Sequence, residues 1–275
     1  MGSVIGLANI KGGVGKTSLT NALAHEFANL GKKVLVIDVD PQASQTYLFG
    51  IDQDDVVDGE FEKHSIFNIY QNKECIPYKY NEKLDVVFSS RILQDGVESR
   101  IRPGIELVLN RWITKQKLRD KYDFIFIDPP SNKGILMIST ILASDYILIP
   151  QRLTLLDETG TIELFLEMSN QAELRGKEMK VLGLVPMFFD KRSKLYREKL
   201  IKLRDEIKAF VSDDEFLSIE KEDVFLSPIR QLSVWTKAQE EQMPLRDYIL
   251  NKDRTYMSVL EEIKKIVVEI SELVI

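Results

Sequence analysis

The chain has one cysteine, Cys75, and two histidines, His25 and His64. A lone cysteine forms no internal disulfide, which fits a reducing compartment, and it is too few to hold an iron–sulfur cluster. Cys75 lies in a polar stretch with no histidine or cysteine around it, so a zinc site is not expected there. His25 falls inside a helical pattern and His64 at the start of another, where packing explains them better than catalysis. No run approaches the ~20 consecutive apolar residues of a membrane span. The N-terminus passes from Val4–Ala8 into a glycine-rich loop, without the basic start and long apolar core of a secretory signal. An excess of positive charge is also missing: Lys and Arg total 37, Asp and Glu 43, for a net charge of −6. Any affinity for nucleic acid must therefore come from a local basic patch.

What the sequence does contain is a repeating βα pattern. The 275 residues are 44% hydrophobic, enough for one substantial core. Short apolar runs stand at Val4–Ala8, Val34–Asp38, Leu84–Ser89, Phe124–Asp128, Tyr146–Pro150 and Lys180–Val185, with a weaker one near Val224–Leu226. Val34-Leu35-Val36-Ile37 and Phe124-Ile125-Phe126-Ile127 are apolar at every position, as strands covered on both faces are. The alternation predicts a single-domain α/β fold over residues 1–275, a doubly wound, mostly parallel sheet with helices on both faces. Thr17–Leu30 reads as a helix closed by Gly31. Tyr196, Leu200, Leu203, Ile207 and Phe210 follow helical spacing, as do Tyr256, Leu260, Ile263, Val267, Ile270 and Val274. The acidic segment Asp52 to Glu62 reads as a surface loop.

The chemistry concentrates between the first strand and the first helix, in Lys11-Gly12-Gly13-Val14-Gly15-Lys16-Thr17. Glycines allow left-handed backbone and close approach to phosphate, and the amides of the loop and of the helix start form an anion site. Lys16 is expected to reach the β- and γ-phosphates and Thr17 to ligate Mg²⁺ directly. The first glycine of the general G-x-x-x-x-G-K-[ST] pattern is replaced by Ile10. The expected nucleotide contacts are Lys11, Gly12, Gly13, Val14, Gly15, Lys16, Thr17 and Ser18.

This loop resembles the KGGxGK[ST] box, the deviant Walker A motif, of the ParA/MinD ATPases. Val34 to Gln42 ends in Asp38-Val39-Asp40-Pro41-Gln42 and is similar to the D-x-D-P-Q box of the ParA branch. Phe124–Pro130 resembles its Walker B strand, and Tyr146–Pro150 the strand that follows. The resemblance spans nearly the whole chain in the family's motif order. It implies a P-loop NTPase fold with ATP and Mg²⁺ as cofactors. It also implies an ATP-bound homodimer in which Lys11 reaches the partner's phosphates. Asp40 would orient the attacking water, and Asp38 and Asp128 would stand near Mg²⁺ through water. The catalytic set is then Lys11, Lys16 and Asp40. ATP is favoured over GTP because Asn251-Lys252-Asp253-Arg254 fails the N-K-x-D spacing.

The ParA branch implies sequence-indifferent DNA binding and an ATPase-stimulating adaptor of the ParB kind, in a cytoplasmic, nucleoid-associated protein. Between Asp190 and Lys208 stand eight basic residues (Lys191, Arg192, Lys194, Arg197, Lys199, Lys202, Arg204, Lys208) against four acidic ones. Phe188–Ser193 is similar to a family loop with a DNA-contacting arginine, here Arg192. Further on, Ile229–Gln239 departs from the family's I-P-R-x-x-R pattern: Gln231 and Val234 replace both arginines, Arg230 is displaced by one, and Lys237 is added. The expected DNA contacts are Arg192, Lys194, Arg197, Arg204, Arg230 and Lys237. The C-terminal helix is acidic on balance, unlike a basic membrane-binding helix, so no membrane partner is expected. The expected function is plasmid or chromosome partition. The alternatives are an ATPase that positions a protein cargo and an ATP-dependent small-molecule enzyme of related fold.

Overall fold

A computed structural model describes residues 1–98, 103–153, 155–190 and 192–274. Its strands are β1 (Ser3–Leu7), β2 (Val34–Asp38), β3 (Tyr78–Lys79), β4 (Leu84–Val87), β5 (Phe124–Asp128), β6 (Tyr146–Gln151), β7 (Met179–Pro186) and β8 (Leu217–Ile219). They form one sheet in the order β3-β4-β2-β5-β1-β6-β7-β8. Every pairing is parallel except β3 with β4. This is the doubly wound α/β fold expected from the alternation.

The continuous apolar runs are explained by cover on both sides. Side chains alternate across a strand. Ile5, Leu7, Val34, Val36, Phe124 and Phe126 thus face helix α1 (Lys16–Asn29) and the C-terminal helix Met257–Leu273. Val4, Leu35, Ile37, Ile125 and Ile127 face Leu109, Ile113 and Leu136 on the other side. β6 and β7 are covered by Leu164, Phe165 and Met168 and by Leu203 and Ile207 of the helix Lys194–Ser212. The C-terminal helix buries Leu260, Ile263, Val267 and Ile270 in the core. Helix α1 closes as its sequence suggests: Gly31 takes φ 84°, its N–H donates to Ala28 O, and Lys32 N–H donates to Phe27 O.

Several expectations need correction. The acidic segment is not a loop: Gln53–Asp58 is helical, and the Asp52 carboxylate caps it by accepting from Asp54 N–H at 2.9 Å. β3 and β8 were not foreseen, and Val224–Leu226 forms only an isolated bridge from Phe225 to Leu184 beside β7. Cys75 lies in a loop with exposed polar neighbours, but its own side chain is buried, and burial pushes its thiol up to about 12. His25 stacks on Phe49, and burial lowers its pKa to about 4, so it is a neutral packing residue. His64 is buried with Nδ1 2.6 Å from Ile76 O.

Candidate nucleotide-binding site

Parallel strands send all their carboxyl ends to one edge, and there the motifs meet. β1 moves leftward in the sheet to β2, while β5 crosses over β1 to β6, so the strand order reverses at β1. A crevice opens at such a switch point, and the glycine loop after β1 lies in it. A cleft of about 840 Å³ is lined by Gly13–Ser18, Asp40, Gln42, Tyr47, Asp52, Ser131, Phe188, Thr236, Gln239 and Glu240, among others.

Helix α1 begins at Lys16 with no side chain capping it, so its first amides remain available to an anion. Gly15, just before it, has φ 97°, and a Cβ there would stand 2.8 Å from Met187 Cε and 3.4 Å from Phe188 Cζ. Gly15→Ala should therefore cost about 1–2 kcal/mol in backbone strain alone, with further loss from displaced Met187. A melting curve checks this, and a melting temperature equal to wild type would contradict it.

The Lys16 ammonium is buried and aimed back into the loop. Nζ donates to Asn9 O at 3.1 Å, to Ser131 Oγ at 2.6 Å and to Lys11 O at 3.5 Å. Burial lowers its pKa, and the nearby charges of Asp128 and Asp40 pull it back up. Asp38 and Asp128 end neighbouring strands and face each other in register. Asp38 is fully committed: one oxygen accepts from Thr46 N–H and Oγ1, each at 2.8 Å, and the other from Asp40 N–H at 3.1 Å. Burial, then the charge of Asp128, raises its pKa well above the carboxylate range. Asp128 differs: the hydroxyls of Thr17 and Thr20 lie close enough to favour its charged form, but neither buried oxygen makes a hydrogen bond of full geometry. Burial pushes it up to about 7, against the pull of the Thr17 hydroxyl and the Lys16 ammonium.

A buried carboxylate held so weakly is costly unless something is meant to meet it. Its two oxygens beside the Thr17 hydroxyl are hard oxygen donors, the kind that suits Mg²⁺ and its retained waters. The residues present therefore fit the ion that the sequence implies. Asp40 is half-buried in a tight turn: its Oδ1 accepts from Gln42 N–H at 2.9 Å and its carbonyl from Ala43 N–H at 2.8 Å. It borders the same cleft as Lys16.

Two contacts escaped the sequence reading. Ser131 anchors Lys16, and its only sequence signal is its place just after Asp128-Pro129-Pro130. Gln239 Nε2 donates to Ser18 Oγ at 2.6 Å across 221 positions. The altered Ile229–Gln239 segment thus walls the nucleotide cleft, where Thr236, Gln239 and Glu240 stand opposite the loop.

The basic residues fall into two groups. Arg192 and Lys194 are exposed, with side-chain accessibility of 94% and 84%, and only loosely paired with Asp190 and Glu198. Arg197 and Lys237 are also exposed. Arg204 pairs with Asp223 at 3.0 Å, and Arg230 with Glu262 at 2.5 Å on the C-terminal helix. Lys199 is buried and donates to Leu153 O, so it leaves the surface count made from sequence. Lys191 lies outside the described residues. Phe188 connects this region to the phosphate loop: its ring stands where a Cβ added at Gly15 would meet it at 3.4 Å, and it lies under Arg152, whose Nη1 donates to Gly13 O at 3.4 Å.

A glycine loop closing on a buried lysine, between β1 and α1 of a doubly wound sheet, defines a P-loop nucleoside triphosphatase. Residues 2–181 match the family model described as AAA domain. The chain is 28% identical over 231 residues to the sporulation initiation inhibitor protein Soj of Bacillus subtilis (strain 168), covering 82% of this chain and 87% of that one. It is 31% identical over 193 residues to the virulence plasmid ParA family protein pGP5-D of Chlamydia psittaci, covering 69% and 70%. Among solved structures, a plasmid partition protein of Borrelia burgdorferi B31 bound to AMPPNP is 25% identical with a TM-score of 0.71, covering 96% of this chain and 99% of that one. The chain belongs to the ParA/MinD-type P-loop partition ATPases. Among the described residues no helix is long and apolar enough to cross a membrane.

Proposed function

We propose that the protein hydrolyses ATP as a switch: ATP drives it into a homodimer that holds DNA without regard to sequence, and hydrolysis returns monomers that let go. The observation that carries this reading is the buried Lys16 ammonium, fixed by Asn9 O and Ser131 Oγ, in one cleft with the half-buried carboxylate of Asp40. The first offsets phosphate charge and the second receives and aligns a water. Phosphoryl transfer asks little more of a protein than positioning and charge stabilisation.

Each residue then has a defined task. The amides of Gly12–Thr17 and of the start of α1 bind the phosphates, and Ser18, steadied by Gln239, meets the nucleotide beside them. Thr17 would hold Mg²⁺ directly and Asp38 and Asp128 would hold it through water, and the ion would supply positive charge against the phosphates. Lys11 reaches across the dimer and adds a second cation where two nucleotides would otherwise repel the closing faces. An adaptor of the ParB kind accelerates the hydrolytic step.

The DNA surface consists of Arg192, Lys194, Arg197 and Lys237, with Arg204 and Arg230 at its edge. The last two reach phosphate only by exchanging Asp223 and Glu262 for it. The Phe188 ring beside Gly15 supports a link between the loaded phosphate loop and the segment that bears Arg192. DNA binding is expected to need ATP and to weaken steeply with salt, each neutralised phosphate contributing about −0.9 to the slope of log K against log[salt]. Arg192→Ala with Arg197→Ala should lower both affinity and slope while ATP-driven dimerisation persists. Filter binding at two salt concentrations, beside light scattering, tests this. Wild-type protein that retains no duplex DNA with ATP would sink the DNA reading and leave a protein cargo in its place.

A further inference from the structure

Lys11 is the only loop residue whose proposed task lies outside its own chain, so the resting place of its side chain carries information. Its stem lies across the helix Leu155–Glu173 at Gly160. A Cβ added there would stand 2.6 Å from Lys11 Cε, 2.7 Å from Cγ and 3.2 Å from Cδ. The backbone does not ask for glycine at this position, because Gly160 is not among the residues with positive φ and the helix runs through it unbroken. Mid-helix glycine is about 0.5–1 kcal/mol less favourable than alanine. The groove it leaves is filled by Lys11.

One turn further on, Glu163 extends from the same helix. It pairs with Lys133 at 2.8 Å. That bond and the Lys133 charge hold its carboxyl below the usual range, and the Lys11 charge adds to the effect. The stem of Lys11 thus meets a glycine groove, one turn from the Lys133–Glu163 pair on the same helix.

We infer that Gly160 is a positioning residue that cradles Lys11 against its own chain, and that Lys11 leaves this cradle when it crosses to a partner. The second half of the inference rests on the trans role of Lys11 proposed above; the first half does not. A cradle biases the free protein toward monomers, since withdrawal of Lys11 precedes its use.

The test has two arms. In nucleotide-free protein, lysines are methylated with formaldehyde and dimethylamine-borane, and Lys11 is followed by mass spectrometry. Gly160→Ala should raise the Lys11 rate several-fold, and Glu163→Gln, which leaves the glycine groove intact, should change it little. Helix propensity makes the Gly160→Ala protein at least as stable as wild type, and Glu163 lies on an open face, so loss of folding does not intervene. Wild-type reactivity of Lys11 in Gly160→Ala would overturn the cradle. In the second arm, with ATP and Mg²⁺, the protein concentration for half-dimerisation should fall several-fold in Gly160→Ala while affinity for nucleotide stays unchanged. Raised reactivity without that shift would keep the cradle and refute the crossing of Lys11 to a partner.

Discussion

Lys16→Ala abolishes measurable nucleotide binding. Among the described residues the side chain is the only buried ammonium lining the cleft, and its position is set by oxygens of Asn9, Lys11 and Ser131. Each hydrogen bond from a charged donor to phosphate contributes about 1.5–3 kcal/mol, so losing contacts to two phosphates lowers affinity by about a hundredfold or more. The loss has a second source. Asp128 and Asp40 are left without the cation that offsets them, and incoming phosphates meet that field. Titration with a fluorescent ATP analogue measures the effect, and a melting curve shows whether the variant folds. A folded variant with wild-type affinity would move the nucleotide site elsewhere.

Asp40→Ala and Lys11→Ala part in opposite directions. Without Asp40 the phosphate contacts survive, but the water is no longer aligned; turnover should fall by about 10²–10⁴-fold, and ATP-bound dimers should accumulate. Asp40 makes only local turn contacts, so the fold has little stake in its carboxylate. Without Lys11 the monomer still binds nucleotide through Lys16 and the loop amides, yet it neither dimerises nor turns over. Light scattering with ATP and Mg²⁺, alongside phosphate release, separates the two. A monomeric Asp40 variant beside a stably dimeric Lys11 variant would reverse these roles.

Much of this site was legible in the sequence because its parts are local. Lys11–Thr17, Asp38–Gln42 and Phe124–Pro130 are contiguous words, each tied to the end of one strand, and parallel strands bring their ends together without further instruction. What stayed hidden depends on tertiary contact. Gln239 meets Ser18 across most of the chain, and no spacing rule relates them. Lys199 reads as a surface charge until the helix Lys194–Ser212 packs it beneath Leu153. Tyr78–Lys79 and Leu217–Ile219 are too short to show a period, and they become strands because β4 and β7 offer open edges. Gln53–Asp58 was misread for its acidity: Asp52 turns those charges into a capped helix by placing them at its positive end.

The place of β1 at the centre of the sheet has a consequence for biosynthesis. Ser3 pairs with Phe124 and Ile5 with Tyr146, so the earliest apolar strand finds its neighbours only after more than a hundred further residues have been made. At about 5–20 residues per second, Val4-Ile5-Gly6-Leu7-Ala8 waits on the order of ten seconds outside the ribosome with both edges open. Such a segment invites wrong partners, and a nascent-chain chaperone that shields it would raise the yield of active protein more than one acting after release. The phosphate loop hangs from that same strand, so a ribosome-bound fragment ending before β5 would have no working cradle for ATP.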